Sequence, residues 1–215
     1  MRGYARIKRK LHREDGRVLV SLTVGNECGC EDIEFLILEE LYAELGDEVL
    51  TDEIECDTVE RLNELADVTA AFSSACASLA FTQCSSKALL RKLISKGFSK
   101  SASEVAIDIC SQRGYIDEIS VATRRAEVMV DKLWGRIRIL AKLCEEGYSD
   151  EAIESAREYL DSVDFSEICA SVIEKKYHCI PEDRMAREKM YAALMRLGFS
   201  RGDIRDAIQK NTNDY

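Results

Sequence analysis

A glycine recurs about every fifty residues in one local setting. Gly97-Phe98-Ser99, Gly147-Tyr148-Ser149 and Gly198-Phe199-Ser200 stand 50 and 51 positions apart. Four residues before each glycine is a leucine: Leu93, Leu143 and Leu194. This is the pattern of a helix that ends in a left-handed turn. Glycine takes positive φ without a Cβ clash, and the aromatic after it folds back onto the leucine. The serine that follows can cap the next helix. The fit is good at Ser149, with Asp150 and Glu151 behind it, and at Ser200, with Asp203 three residues on. One helix–turn–helix unit is therefore written three times. Repetition at this period predicts a helical array, and arrays bind extended partners far more often than they catalyse.

Composition supports helices. The chain has 215 residues, 46% of them hydrophobic and 33% charged, with one proline. That favours long uninterrupted helices around an ample core. No apolar signal segment follows the basic start from Arg2 to Arg17, and the longest uncharged stretch, Val68 to Ser86, is too polar to span a membrane. Nine cysteines make an odd count, and Cys76, Cys110, Cys144 and Cys169 fall on apolar helix faces. They read as buried thiols in a reducing cytoplasm. Cys28-Gly29-Cys30 reads as a polar loop with two free thiols. With only His12 and His178 to help, it does not predict a metal site.

The net charge of −10 is strongly banded. Residues 1–17 are basic and residues 27–67 carry sixteen acids against Arg61 alone. Residues 87–142 carry twelve Lys/Arg against six acids, and residues 143–164 reverse this with eight acids against Arg157. Net charge therefore says little about any one face.

The first forty residues read as strands. Val18, Val20, Leu22 and Val24 alternate with Leu19, Ser21 and Thr23, and Asp15-Gly16 marks a hairpin before them. The preceding run, Ala5, Ile7 and Leu11, is the weaker strand because Arg9 breaks its parity. Ile33 to Leu38 adds a third candidate. The fold class is thus mainly α: three tandem three-helix repeats behind a small N-terminal β-hairpin or β module. Residues 1–65 form that module with an acidic helical connector, and the repeats span 66–114, 115–163 and 164–215. Their helices fall near 66–82, 86–95 and 103–113, then 118–133, 135–145 and 150–162, then 164–177, 183–196 and 201–210. The first repeat reads as carrying an extra Lys100-Ser101-Ala102-Ser103 before its third helix.

No catalytic constellation is present. The phosphate loop, the dinucleotide fingerprint, the nucleophile elbow and the zinc-protease helix are all missing. His178-Cys179 are sequence neighbours that point in different directions. The sequence therefore predicts no enzyme, no cofactor and no metal. The chemistry that remains is binding. Lys87, Arg91, Lys92, Arg124, Arg125, Lys132, Arg136, Arg138 and Lys142 are the candidate partner-binding residues, as a stripe for phosphates or for an acidic protein groove. The plainer alternative is a scattered, solvated basic face. Trp134 reads as a packing residue. Reversing Arg124, Arg125, Arg136 and Arg138 to glutamate is expected to leave the fold intact.

Three segments together resemble the RecX family of recombination regulators. They are Gly114-Tyr115-Ile116-Asp117-Glu118, Lys132-Leu133-Trp134-Gly135-Arg136-Ile137-Arg138, and Gly147-Tyr148-Ser149-Asp150-Glu151-Ala152-Ile153. Ala88 to Phe98 and Met190 to Phe199 are similar to a further family element, with Ala88 where an acid is usual and Leu197 where a base is usual. The similarity spans about residues 66–210. It implies a non-enzymatic protein that binds the RecA recombinase filament on single-stranded DNA and suppresses ATP hydrolysis and strand exchange, and the chain is expected to be a monomer. It also implies a role in recombination, DNA repair and the SOS response. The acidic balance, pI ≈ 4.9, shifts weight from direct DNA contact to protein contact. The rival functions are a helix-turn-helix nucleic-acid regulator and a helical scaffold for another protein.

Overall fold

The computed structural model describes residues 4–26, 29–49 and 52–213. Among these the chain is mainly helical, with ten α-helices and four strands. It divides into two compact units. Residues 1–82 and 89–115 form the first, and residues 83–88 and 116–215 the second.

The first unit opens with an antiparallel sheet of β1 (Tyr4–Arg13), β2 (Arg17–Asn26), β3 (Gly29–Leu38) and β4 (Glu53–Ile54), in the order β3-β2-β1-β4. The short edge strand β4 was not legible in the sequence. Glu14, Asp15 and Gly16 close the first hairpin, with Gly16 at φ +73°. The broken parity of β1 has a physical cause. Ile7 pairs with Leu22 and Arg9 with Ser21, so Lys8 is an extra residue in a bulge. Ile7 faces the core, and the bulge turns Arg9 out to solvent. Gly29 and Cys30 stand in β3 rather than in a loop, while Cys28 lies outside the described residues.

After α1 (Glu39–Ala43), α2 (Cys56–Phe81) runs 26 residues. It begins ten residues before the expected helix, so much of the acidic connector is its first half. Asp57, Glu60 and Glu64 lie exposed, while Thr58 and Leu62 are buried. The buried stripe continues through Val68, Phe72, Ala75 and Leu79 and packs on β3 and on α4 (Lys100–Gln112). Thr69 joins sheet to helix: its hydroxyl donates to the Leu65 carbonyl and accepts the Leu38 amide, each at 2.9 Å. Lys100 to Ser103 are no insertion. They are the first turn of α4, and Ser99 caps it by accepting the Ala102 amide at 3.1 Å.

The second unit holds α5 (Glu118–Asp131), α6 (Arg136–Glu146), α7 (Asp150–Asp161), α8 (Phe165–Tyr177), α9 (Arg184–Arg196) and α10 (Arg201–Asn213). Helix α5 packs on α7, and α8 on α10. Ile139, Leu143, Leu160, Ile173, Met190 and Phe199 fill the core between them. None of the eight cysteines among the described residues is disulfide-bonded. Burial pushes the Cys169 thiol up to about 12, which keeps it protonated and inert.

The three glycine turns share one geometry. Gly97, Gly147 and Gly198 have φ of +97°, +84° and +93°. The amides of Phe98, Tyr148 and Phe199 each reach back 3.3 Å to the carbonyls of Leu93, Leu143 and Leu194. At the third turn the serine forms a reciprocal box. The Ser200 hydroxyl accepts the Asp203 amide at 3.1 Å, and the Asp203 carboxylate accepts the Ser200 amide at 2.7 Å. The surroundings of the turns differ. A Cβ on Gly97 would meet open space, but one on Gly147 would lie 2.8 Å from the Lys87 Cβ. Gly147→Val is therefore expected to destabilise by about 2 kcal/mol, and Gly97→Val by about 1 kcal/mol, through positive φ alone. Urea midpoints for the two variants check this; equal losses would remove the role of the Lys87 contact.

The tightest approach lies at the start of α6. The Gly135 amide donates to the Leu197 carbonyl at 2.8 Å, and the Ile137 amide to the Gly198 carbonyl at 3.0 Å. Two orphan donors at the N-terminus of α6 thereby meet two carbonyls at the C-terminus of α9.

Candidate functional site

Helices α5 and α6 carry most of the expected basic residues. Position on a helix decides which of them face solvent. Ala122, Ala126 and Met129 form the buried stripe of α5, and Ile139 and Leu143 that of α6. Arg124 and Arg125 therefore lie off the core face of α5, and Arg136, Arg138 and Lys142 off that of α6. Lys132 caps α5 at its C-terminus, exposed. Lys87, at the start of α3 (Ser86–Ser95), lies against the Gly147 turn. Arg91 and Lys92, further along α3, belong to the first unit and are exposed.

The structure sorts these cations by their neighbours. Arg125 holds Glu146 in a two-pronged bond, Nε at 3.1 Å and Nη2 at 2.8 Å. The hydrogen bond to Glu146 raises the Arg125 pKa further above neutrality. Arg136 pairs with Asp161 on α7, and Lys142 with Glu145 at 2.9 Å. Arg138 takes a different role: its guanidinium lies over the Trp134 ring, 3.8 Å from the centroid. Arg124 and Lys132 make no ion pair among the described residues. Trp134 is half-buried and packs against the core of the unit. Its exposed side, with Arg138, Ala141, Lys142 and Glu145, lines a shallow depression of about 260 Å³.

These pairings put a stability cost on reversing the four arginines. Glutamate at 125 would face Glu146, glutamate at 136 would face Asp161, and glutamate at 138 would abandon the indole. Single exposed pairs contribute about 0–1 kcal/mol. Turning two attractions into repulsions while losing a stacking contact exceeds an ordinary surface change.

Sequence reasoning missed Glu118, because its partners are backbone amides distant in the chain. One carboxylate oxygen accepts the Ser86 amide at the start of α3, and the other accepts the Ser149 amide, 2.9 Å away, before α7. Burial raises the Glu118 pKa, but the bonds from Ser86 and Ser149 outweigh it and hold the carboxyl below its usual value. Its neighbour Asp117 caps α5 by accepting the Ser120 amide at 3.0 Å. Both acids of the Gly114–Glu118 motif thus terminate helices.

Among the described residues no group of three or more His, Cys, Asp or Glu could hold a metal ion. No helix there is long and apolar enough to cross a membrane.

A family model described as "RecX, third three-helix domain" matches residues 164–208. The chain is 31% identical over 124 residues to a regulatory protein RecX of Vibrio vulnificus (strain CMCP6), covering 56% of this chain and 78% of that one. It is 27% identical over 131 residues to a regulatory protein RecX of Stenotrophomonas maltophilia (strain R551-3), covering 60% and 80%. A crystal structure of regulatory protein RecX shares the fold at a TM-score of 0.70, with 17% identity over 94% of this chain and 99% of that one. RecX from Lactobacillus salivarius does so at 0.58, with 20% identity over 68% and 97%. With the helix-ending motifs, the strand module and these relatives in agreement, the chain belongs to the RecX family of regulatory proteins.

Proposed function

We propose that this protein is a non-enzymatic regulator of homologous recombination. It works as a monomer in the cytoplasm, binding the RecA filament on single-stranded DNA and slowing its ATP hydrolysis and strand exchange. The observation that carries this reading is membership of the RecX family. Three repeats, 66–114, 115–163 and 164–215, supply the binding surface. Arg124, Lys132 and Arg138 lead the contact, because no carboxylate among the described residues holds them. Arg125, Arg136 and Lys142 join it only by giving up Glu146, Asp161 and Glu145. Lys87 adds to the surface within the second unit, and Arg91 and Lys92 of the first unit are separate candidate contacts.

The test is the DNA-dependent ATPase of the cognate recombinase, titrated with this protein. Arg124→Glu combined with Lys132→Glu touches no ion pair of the described residues, so it is expected to keep wild-type stability within about 0.5 kcal/mol. It is expected to raise the half-inhibitory concentration about tenfold at low salt and less at moderate salt, as electrostatic steering requires. Equal inhibition by the folded variant would move the contact surface elsewhere. No effect of wild type on any recombinase filament would end the regulator reading. Steeply salt-dependent binding to DNA alone would favour direct nucleic-acid recognition.

A further inference from the structure

We infer that the open edge of β3, together with the groove between it and α2, docks a short extended basic segment of another protein by strand addition. The inference is independent of the filament reading and concerns the first unit alone.

Strand β3 is outermost in its sheet, and it runs ten residues. The direction of its amides follows from two bonds at its end. The Glu39 amide donates to the Gly16 carbonyl of the β1–β2 hairpin, whereas the Leu38 amide leaves the sheet for the Thr69 hydroxyl. Amides alternate along a strand, so those of Leu36, Glu34 and Asp32 also turn away from β2. None of the three bonds a described residue. A row of such groups is a template for another strand.

Beside this edge lies a groove of about 430 Å³, lined by Ile33, Phe35, Val59, Glu60, Asn63 and Glu64. Its floor is apolar and its helical rim is acidic. Along β3 itself, the Asp32 carboxylate is held by Lys8 Nζ at 2.7 Å and by Thr23, and Glu34 accepts from Ser21. Glu60 and Glu64 are different: they are exposed, four residues apart on α2, and make no ion pair among the described residues. Like charges at that spacing repel one another on a helix, and an arriving cation removes the repulsion.

Charge and geometry together define the occupant. A strand added to β3 alternates its side chains between the two faces of the sheet. Every second residue falls over Ile33 and Phe35 and is apolar. The residues between them point to the opposite face, so the Lys or Arg residues stand beyond the apolar ones on that same face, within reach of Glu60 and Glu64. A plain protective edge would repel or ignore such a peptide.

The probe is a fluorescein-labelled peptide, Lys-Thr-Val-Thr-Val-Thr-Lys, titrated with the full chain and followed by polarisation and by backbone amide shifts. Binding is expected, with shifts at Asp32, Glu34 and Leu36. Glu60→Lys with Glu64→Lys is expected to weaken it at least tenfold. The acidic counterpart, Glu-Thr-Val-Thr-Val-Thr-Glu, is expected not to bind. If the double-lysine variant melts early, Glu60→Gln with Glu64→Gln replaces it, with about threefold weakening expected. Unchanged affinity in a folded variant, shifts away from β3, or no binding at millimolar peptide overturns the inference.

Discussion

Gly135→Ala is expected to destabilise the second unit by about 4 kcal/mol and to lower its melting temperature by about 18 °C. No feature of the local backbone explains so large an effect. Gly135 has φ −80° and ψ 157°, a conformation open to any residue. The obstacle is the approaching chain. A Cβ on Gly135 would stand 2.2 Å from the Gly198 carbonyl carbon and 2.3 Å from both the Gly198 oxygen and the Phe199 nitrogen. Main chain cannot swing aside as a lysine tip can, so α6 and α9 must separate. Their shared hydrogen bonds, Gly135 to Leu197 and Ile137 to Gly198, would then break. Gly97→Ala is the control. It has positive φ but open space, and is expected to lose about 1 kcal/mol. Calorimetric melts of both variants check the order. A Gly135→Ala protein as stable as Gly97→Ala would refute the close approach.

Glu118→Ala is expected to lose about 3 kcal/mol at neutral pH. The carboxylate accepts two amides, each bond to a charged group contributing about 1.5–3 kcal/mol, reduced here because Glu118 is only half-buried. The variant leaves the amides of Ser86 and Ser149 without an acceptor at two helix starts. Glu118→Gln is expected to lose about half as much, since the amide has one oxygen for two donors. Acid separates this from a packing effect. The folded pKa lies below that of an ordinary glutamate, so the carboxylate's contribution is present above the unfolded pKa. It fades as pH falls through the folded one. The stability gap between wild type and Glu118→Gln should therefore shrink from about pH 5 downward. Urea midpoints across that range measure it, and a gap constant with pH would assign Glu118 to packing alone.

Much of the helical framework was legible because its signals are local. Positive φ at Gly97, Gly147 and Gly198 is a demand that a glycine satisfies by itself, and Ser200 with Asp203 forms a cap within four residues. What went unread depends on distant partners. The bulge at Lys8 shows itself only when β2 sets the register. The early start of α2 was masked by Asp57, Glu60 and Glu64, whose charges read as a connector until Leu62 and Thr58 are seen buried between them. Ser99 caps α4 without the acidic first turn that marks Ser149, so Lys100 to Ser103 looked inserted. The basic band misled in the same way. Arg125 and Glu146 lie 21 residues apart, and Arg136 and Asp161 25 apart, too far for spacing to announce the pair. Trp134 and Arg138 are the exception. Trp134 stands just before α6 and Arg138 in its first turn, close enough in the chain for an aromatic and a cation to have been read as a stack.

The joint between α6 and α9 also bears on how such a protein changes over generations. Its bonds run from amide to carbonyl, and every residue but proline carries both. Substitutions along the two helices can accumulate without altering what the joint is made of. An attachment such as Arg125 to Glu146 is heritable only as a matched pair, and one codon ends it. The main-chain joint asks a lineage for two absences instead, a missing side chain at Gly135 and another at Gly198. Drift can rewrite the surfaces on either side, and with them the choice of partner, while the spacing between helices is passed on unchanged.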